Sequence, residues 1–291
     1  MPLYTTGAAG ILTPEEIGDL VVRPVSRLSV AYQVSQVAVI DSHDFRIPLL
    51  TADPSASFVA EGAEIPADDA DISELICTPK KVAGLSVISR ELAADSIDGK
   101  AADVVGQALA RDTARAVDAA FFGENTANGP SGLGSLSGVA EVDAGTLLNL
   151  DPFAEGQSMA ESVGAVVICW VASPNTVLAL AQLKRETGSN EPLLQPDPTL
   201  PGRRQIFGAP LLTSPAVDDH TVWGIPASYI SADPDDQSGR LSYVVQAQDA
   251  SLDVDGSVFF TSSRVAVRTE LRVSFGWPHP AAVVRINHGG S

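Results

Sequence analysis

The side chains best suited to chemistry are the four histidines, the two cysteines and several acidic clusters. The histidines lie far apart, with no HExxH motif and no i, i+4 pair, so a metal site would have to be assembled from loops. Cys77 and Cys169 form no CxxC motif, which favours two buried, reduced thiols. No GxSxG motif is present. The sequence therefore predicts no cofactor, no metal and no enzymatic activity.

A glycine-rich segment at residues 123–138 raises the alternative of a phosphate-binding loop. It contains neither GxGxxG nor GxxxxGK[ST], and no strand is predicted before it, so a nucleotide site is a poor interpretation. The acidic run from Asp233 to Asp236 lacks the ligand order and the glycine of an EF-hand. Both segments are better explained as turns.

Charge points instead to a contact with another molecule. Residues 47–79 carry no Lys or Arg, so the surface that receives this segment should be basic. Arg203 and Arg204, in one loop, are candidates, as are Arg264, Arg268 and Arg272, whose even spacing places them on one face of a strand. A solvated charged face remains an equal alternative for each arginine. The interface candidates on the acidic side are Glu61, Glu64, Asp68, Asp69 and Asp71.

The composition excludes two classes of function. The formal net charge of −18 argues against a protein that grips DNA through its phosphates. The longest apolar run, Val163–Ala172, is about half of the ~20 residues that a membrane helix needs. The N-terminal residues show no secretory signal, so we expect no membrane association and a cytosolic setting.

The elements that must position these residues are helices and strands in separate runs, which predicts an α+β fold. The spacing of apolar residues indicates one long amphipathic helix and a strand-helix unit, and it indicates short strands after Gly208. Residues 46–80 are too polar to form a hydrophobic core of their own, but their apolar residues are too regularly spaced for a disordered segment. We therefore expect a hairpin that is ordered by another subunit. The predicted elements are a strand or extended arm at Leu28–Ile40, the long helix at Gly99–Phe122, a strand at Val163–Ala172, a helix at Asn175–Thr187 capped by Ser173, and strands at 209–212, 222–225, 241–246, 257–260, 265–273 and 282–286.

This order of elements and motifs resembles the major capsid proteins of tailed double-stranded DNA bacteriophages, whose fold is shared with encapsulins. The similarity extends over nearly the whole chain, and its strength lies in the collinear order of motifs that are weak singly. The segments that carry it are Phe58–Pro66 (FVAEGAEIP), Pro79–Ala83, Val87–Leu92, Phe122–Gly123 with Gly129–Leu133, Trp170–Pro174, Leu183–Lys184 and Ile206–Leu211.

The resemblance implies four parts for the chain. They are an N-terminal arm at 1–45, an extended β-hairpin loop at 46–82, a peripheral domain with a spine helix at 83–145 and 220–291, and an axial domain at 146–219. It also implies a homo-oligomer: hexameric and pentameric capsomers forming an icosahedral shell that encloses the viral double-stranded DNA genome. A portal, a separate scaffold and decoration proteins would be its partners, and the virion, assembled in the host cytoplasm, its location.

Two alternatives stay open at this point. An encapsulin-type bacterial compartment has the same fold and encloses cargo enzymes instead of a genome. A hydrolase or a ligand-binding α+β protein is the third alternative, although the catalytic motifs that it would need are missing.

Overall fold

The computed structural model describes residues 22–52, 58–60, 62, 71–89, 100–186, 188–194, 204–228, 239–255 and 263–289. Its helices are α1 (22–28), α2 (Val30–Val34), α3 (Lys100–Phe122), α4 (Asp151–Ser162) and α5 (Pro174–Gln182). Its strands are β1 (Gln36–Ile40), β2 (Phe45–Ala52), β3 (Asp71–Cys77), β4 (Lys80–Ser89), β5 (Ala140–Gly145), β6 (Ala165–Ala172), β7 (Arg204–Ile206), β8 (Ala209–Thr213), β9 (Thr221–Ser228), β10 (Tyr243–Ala247), β11 (Ser251–Asp255), β12 (Arg264–Gly276) and β13 (Val284–His288). The α+β prediction is confirmed.

Helix α3 forms where the sequence predicts the long helix. Its buried side chains recur at helical spacing and include Ala110, Ala114, Val117 and Phe121, so one stripe of the helix faces the core. The glycine-rich segment after α3 packs closely against the end of the helix. A Cβ at Gly132 would lie only 2.2 Å from the carbonyl oxygen of Ala120. Glycine is needed here for close packing.

The first sheet supports α3. Its strands follow the order β1-β10-β12-β11, and β4 pairs with β12 along ten residues, from Lys80 opposite Val273 to Ser89 opposite Arg264. The pairing of β1 with β10 is parallel, and the pairings of β12 are antiparallel. Apolar side chains of α3, β10 and β12 share a single core cluster, which holds the helix on the sheet.

The second sheet follows the order β5-β13-β9-β6-β8-β7. Strand β6 lies inside it, and successive residues point to opposite faces. Trp170 belongs to the cluster that includes Phe153 of α4, whereas Cys169 and Val171 belong to the cluster of α3. Both faces of β6 are buried, which explains why the sequence of this strand is continuously apolar.

The sequence analysis missed α4 and β5. In α4 the buried positions are Phe153, Gly156 and Ala160, so small residues leave only a weak hydrophobic period. The small side chains are required by packing, because a Cβ at Gly156 would lie 2.6 Å from Cγ1 of Val284 on β13. The strand expected at 257–260 lies outside the described residues.

Two predicted elements need correction. Leu28–Ile40 is not one strand, since α2 precedes β1. Asp118 of α3 accepts hydrogen bonds from the backbone N–H groups of Val30 and Ala31, a long-range cap that local sequence cannot show. Helix α5 ends at Gln182, earlier than predicted, because Leu183 is extended (ψ 133°). The predicted cap is confirmed: Ser173 Oγ accepts from Thr176 N at 3.2 Å.

The sheets take strands from across the predicted domain boundaries. Strands β5, β9 and β13, which lie in the ranges expected for the peripheral domain, share the second sheet with β6, β7 and β8. Strand β1, within the expected arm, belongs to the first sheet. The boundaries themselves stay a prediction. No helix in the described part of the chain is long and apolar enough to cross a membrane.

Candidate subunit interface

The hairpin of β2 and β3 has an inner face that binds it to its own chain. The two strands are antiparallel, with Phe45 opposite Cys77 and Leu50 opposite Ile72. Ile47 and Cys77 are buried in a small cluster with Ile40 and Val245 of the first sheet. The hairpin predicted at 46–80 is therefore present, and its base is fixed to the body.

The outer face of the hairpin is exposed and carries two large apolar side chains beside an ion pair. Ile72 and Ile76 are 72% and 52% exposed, and they flank an ion pair between Arg46 and Glu74 at 3.0 Å. Phe58, in the segment between the strands, is fully exposed. A two-stranded ribbon is marginally stable alone, and large apolar side chains left exposed on a regular strand are typical of an interaction surface. This surface is the main candidate for a contact between subunits.

The structure describes only part of the predicted charged interface. Asp71, the first residue of β3, is exposed, and Arg204 is exposed on β7, the edge strand of the second sheet. The remaining loop carboxylates and the second loop arginine lie outside the described residues: Glu61, Glu64, Asp68, Asp69 and Arg203.

Strand β12 confirms the predicted alignment of arginines, but its exposed face is already neutralised by the same chain. Arg268 and Arg272 lie on this face together with Glu270. Arg268 binds Asp253 at 2.8 Å, and Arg272 binds Asp249 at 2.6 Å. Lys81 of β4 adds an ion pair with Glu270 at 2.7 Å. A neighbouring carboxylate would have to compete with these internal partners.

The sequence analysis missed a second basic site, on α3. Arg111 and Arg115 are one helical turn apart on its exposed face, beside a groove of about 620 Å³ between α1, α3 and the segment Thr213–Ala216. In the described part of the chain neither arginine forms an ion pair. The sequence signal that could have identified this site was the i, i+4 spacing of the two arginines on the polar face of the predicted amphipathic helix.

Two histidines that are distant in sequence lie close together in the fold, which their spacing in the sequence did not indicate. The rings of His220 and His288 lie 6.0 Å apart, and Nε2 of His288 is 3.2 Å from Oγ1 of Thr176. Burial lowers the pKa of His288, and the positive charge of nearby His220 lowers it further. Within the described residues no three candidate ligands converge as a metal site would require.

The cysteines are free and buried, as predicted. Burial raises the pKa of the Cys77 thiol to about 11 and that of the Cys169 thiol to about 12. Both are thus poor nucleophiles at neutral pH, because the thiolate is the reactive form.

Comparisons with known proteins define the class to which this architecture belongs. Residues 9–287 match the sequence model of the phage capsid family. No curated protein matches the sequence. Similar solved structures include the capsid of a native GTA particle, with a TM-score of 0.68, 17% identity, and coverage of 92% of this chain and 90% of that one.

Two phage structures are similar to the same extent. The chain from Microbacterium phage Oxtober96 has a TM-score of 0.68 and 16% identity, with coverage of 90% of this chain and 91% of that one. The chain from Gordonia phage Cozz has a TM-score of 0.65 and 18% identity, with coverage of 90% and 87%. At these identities the similarity establishes the fold.

The chain belongs to the phage capsid family. Its role is that of a structural subunit in the multi-subunit shell of a virion particle, and the encapsulin alternative is not favoured. Family and fold are those of structural capsid proteins, which are in general not enzymes.

Proposed function

We propose that this protein is the major capsid protein of a tailed phage, a homo-oligomer without enzymatic activity that forms hexameric and pentameric capsomers. These capsomers close into an icosahedral shell around double-stranded DNA. The observation that carries the proposal is the hairpin of β2 and β3, which is fixed at its base and exposes Ile72 and Ile76 on its outer face. In a closed shell a neighbouring subunit covers this outer face, and every subunit boundary repeats the same contact.

The hairpin is the extended loop of this proposal, and it lies over a neighbouring subunit. The other proposed parts are the arm at 1–45, the peripheral domain at 83–145 and 220–291, and the axial domain at 146–219. Five of the eleven residues from 61 to 71 are acidic and would repel one another in an isolated loop. Arginines of the neighbour offset that repulsion. Arg203 and Arg204 are candidate partners, whereas Arg268 and Arg272 would have to exchange the carboxylates that they already bind.

The net charge suits a container for DNA. A subunit with a formal charge of −18 repels the polymer, so DNA moves freely while it is driven into the shell. The subunit encloses DNA without sequence-specific binding. Portal, separate scaffold and decoration proteins are its proposed partners, and assembly takes place in the host cytoplasm.

Electron microscopy of particles from expressed full-length protein tests the proposal. We expect closed icosahedral shells built from hexamers and pentamers, and particles from infected cells should contain DNA that nuclease cannot reach. Small shells filled with cargo protein would instead indicate a compartment. Protein that stays monomeric under all assembly conditions would contradict both functions.

A further inference from the structure

Two histidines form the last cross-strand pair between β9 and β13. In this antiparallel ladder Thr221 lies opposite Asn287, and His220 and His288 are the next residues on the two segments. The backbone N–H of His288 donates to the carbonyl oxygen of His220 at 2.9 Å, and the two rings lie 6.0 Å apart. Side chains at opposite positions of an antiparallel pair interact, and like charges there are destabilising. The charge of the two rings therefore affects this end of the sheet.

The ring of His220 lies against the backbone that follows β13. A Cβ at Gly289 would be 2.6 Å from Nδ1 of His220, so a larger residue at this position would displace the ring. Gly289 also has a φ of 75°, which favours glycine, and its N–H donates to the carbonyl oxygen of Gly145 on β5 at 2.6 Å. The end of β13 is thus bonded to β9 on one side and to β5 on the other, next to this ring.

Hydrogen bonding fixes the position of the proton on neutral His288. Thr176 Oγ1 donates its only hydrogen to the carbonyl oxygen of Asp219 at 2.8 Å. It can therefore only accept from Nε2 of His288, which lies 3.2 Å away. Nε2 carries the proton of the neutral ring, and acid adds the second proton at Nδ1. Because the bond to Thr176 is compatible with both states, acid changes the charge of the ring and leaves this bond in place.

The charged groups around the pair come from β5, from β13, from the segment before β9 and from the segment after α3. They are Glu141, Asp143, Arg285, Asp218, Asp219 and Glu124. Burial and the positive charge of His220 oppose protonation of His288 and outweigh the attraction of Asp218 and Asp219, so the pKa of His288 lies below its ordinary value of 6.5. The N-terminus of α5, where Thr176 binds the ring, also disfavours a cation. The fold therefore stabilises the neutral ring.

We propose that His220 and His288 form an acid-sensitive latch for the C-terminal end of β13. When the rings are neutral, the latch holds residues 287–289 on β9 and β5. When acid protonates both rings, their repulsion loosens these residues. Because His288 binds a proton less readily in the folded state, the contribution of the pair to stability is present above the ordinary pKa of histidine and is lost as pH falls. The latch belongs to the single subunit and does not depend on the formation of shells.

Hydrogen exchange of the full-length subunit tests the latch. The amides of His288 and Gly289 are compared at about pH 8 and about pH 5, the range over which histidine changes charge, with correction for intrinsic exchange rates. We expect their protection to fall severalfold at acidic pH in the parent, while amides in the middle of β9 keep theirs. His220→Phe keeps an aromatic ring against Gly289 but cannot become charged, so it should lose less protection. An equal loss in the parent and in His220→Phe, or a loss spread evenly over the second sheet, would overturn the proposal.

Titration of the His288 ring by nuclear magnetic resonance provides the second test. In His220→Phe the pKa of His288 should rise relative to the parent, because the neighbouring positive charge is removed. The matched control is His43→Phe, at an exposed histidine between β1 and β2, which should leave both the titration of His288 and the acid response of residues 287–289 as in the parent. A titration of His288 that is the same in His220→Phe and in the parent would show that the two rings are not coupled, and would contradict the latch.

Discussion

The arm and the hairpin are neighbours in the sequence but differ in burial. The described part of the arm packs on its own subunit, whereas the outer face of the hairpin is exposed. In the arm, Val25, Ala31 and Tyr32 are buried against the body of the same chain. In the hairpin, Ile72 and Ile76 stay exposed although they belong to a regular strand. The sequence analysis expected a strand or extended arm at Leu28–Ile40 and a hairpin at 46–80 that is ordered by another subunit. The comparison shows that residues 22–40 of the arm contribute to the subunit core, whereas the outer face of the hairpin stays exposed on the subunit.

Polar groups at the two ends of α2 account for the difference. Asp118 accepts hydrogen bonds at the N-terminus of α2, and Arg240 donates to the carbonyl groups of Gln33 and Ser35 at its C-terminus. A negative group at the start of a helix and a positive group at its end also complement the helix dipole. The tip of the hairpin has no such pairing in its sequence: residues 61–71 contain five acidic residues and no Lys or Arg.

Removing the tip of the hairpin should have the largest effect on assembly. We expect deletion of residues 53–71, with a two-residue turn joining β2 to the rest of β3, to abolish shells because the loop contact is lost at every subunit boundary. The subunit should stay folded, since the base packs through Ile47 and Cys77. Electron microscopy and circular dichroism measure the two results, and normal particles from the deletion would contradict the assignment.

Removing the cap of the arm should act on the subunit itself. Asp118→Ala leaves two buried N–H groups and the Ser29 hydroxyl without their acceptor, so we expect the free energy of unfolding to fall by about 2–4 kcal/mol. Chemical denaturation of the monomer measures this change. The control is Asp112→Ala, at an exposed position of the same helix, which should change stability by less than about 0.5 kcal/mol. Equal effects of the two variants would refute the cap.

Changing the outer face of the hairpin should separate stability from assembly. Ile72→Ser and Ile76→Ser together should alter monomer stability by less than about 1 kcal/mol, because both side chains are already exposed. Shell yield should nevertheless fall sharply, as scored by sedimentation. Leu178→Ser, at an exposed position of α5, is the matched control and should assemble normally. A large loss of monomer stability would show that the outer face packs on its own chain.

The pH dependence of the cap is the smallest expected effect. Burial raises the pKa of Asp118 above its ordinary value of 3.8, although its hydrogen bonds act in the opposite direction. Between these two pKa values the folded state binds more protons than the unfolded state, so this contribution to stability is lost as pH rises. The stability of the parent relative to Asp118→Asn should therefore be greater at acidic than at neutral pH. Denaturation of both proteins at each pH measures the difference, and a difference that grows with pH would contradict the burial effect.

The sequence by itself determined the elements whose signals are local. The 3.6-residue period of α3 and the apolar run of β6 were predicted with bounds close to those observed. Ser173 was correctly identified as the cap of α5. The hairpin followed from its patterned but coreless sequence, and the collinear motifs led to the correct family. Apart from the order of the motifs, which extends over nearly the whole chain, each of these signals lies within a short stretch of chain, where spacing and residue type decide the structure.

The tertiary structure alone decided the contacts between distant segments. Ser29 and Asp118 are 89 residues apart, and their hydrogen bond belongs to the cap that makes α2 a helix where the local pattern indicated a strand. Carboxylates of the same chain pair with Arg268 and Arg272. Arg111 and Arg115, which lie beside a groove, have no carboxylate partner among the described residues. A charge pattern in sequence shows which side chains carry charge. Only the fold determines which of those charges are balanced within the subunit and which remain for a neighbour, because electrostatic attraction depends on distance in space.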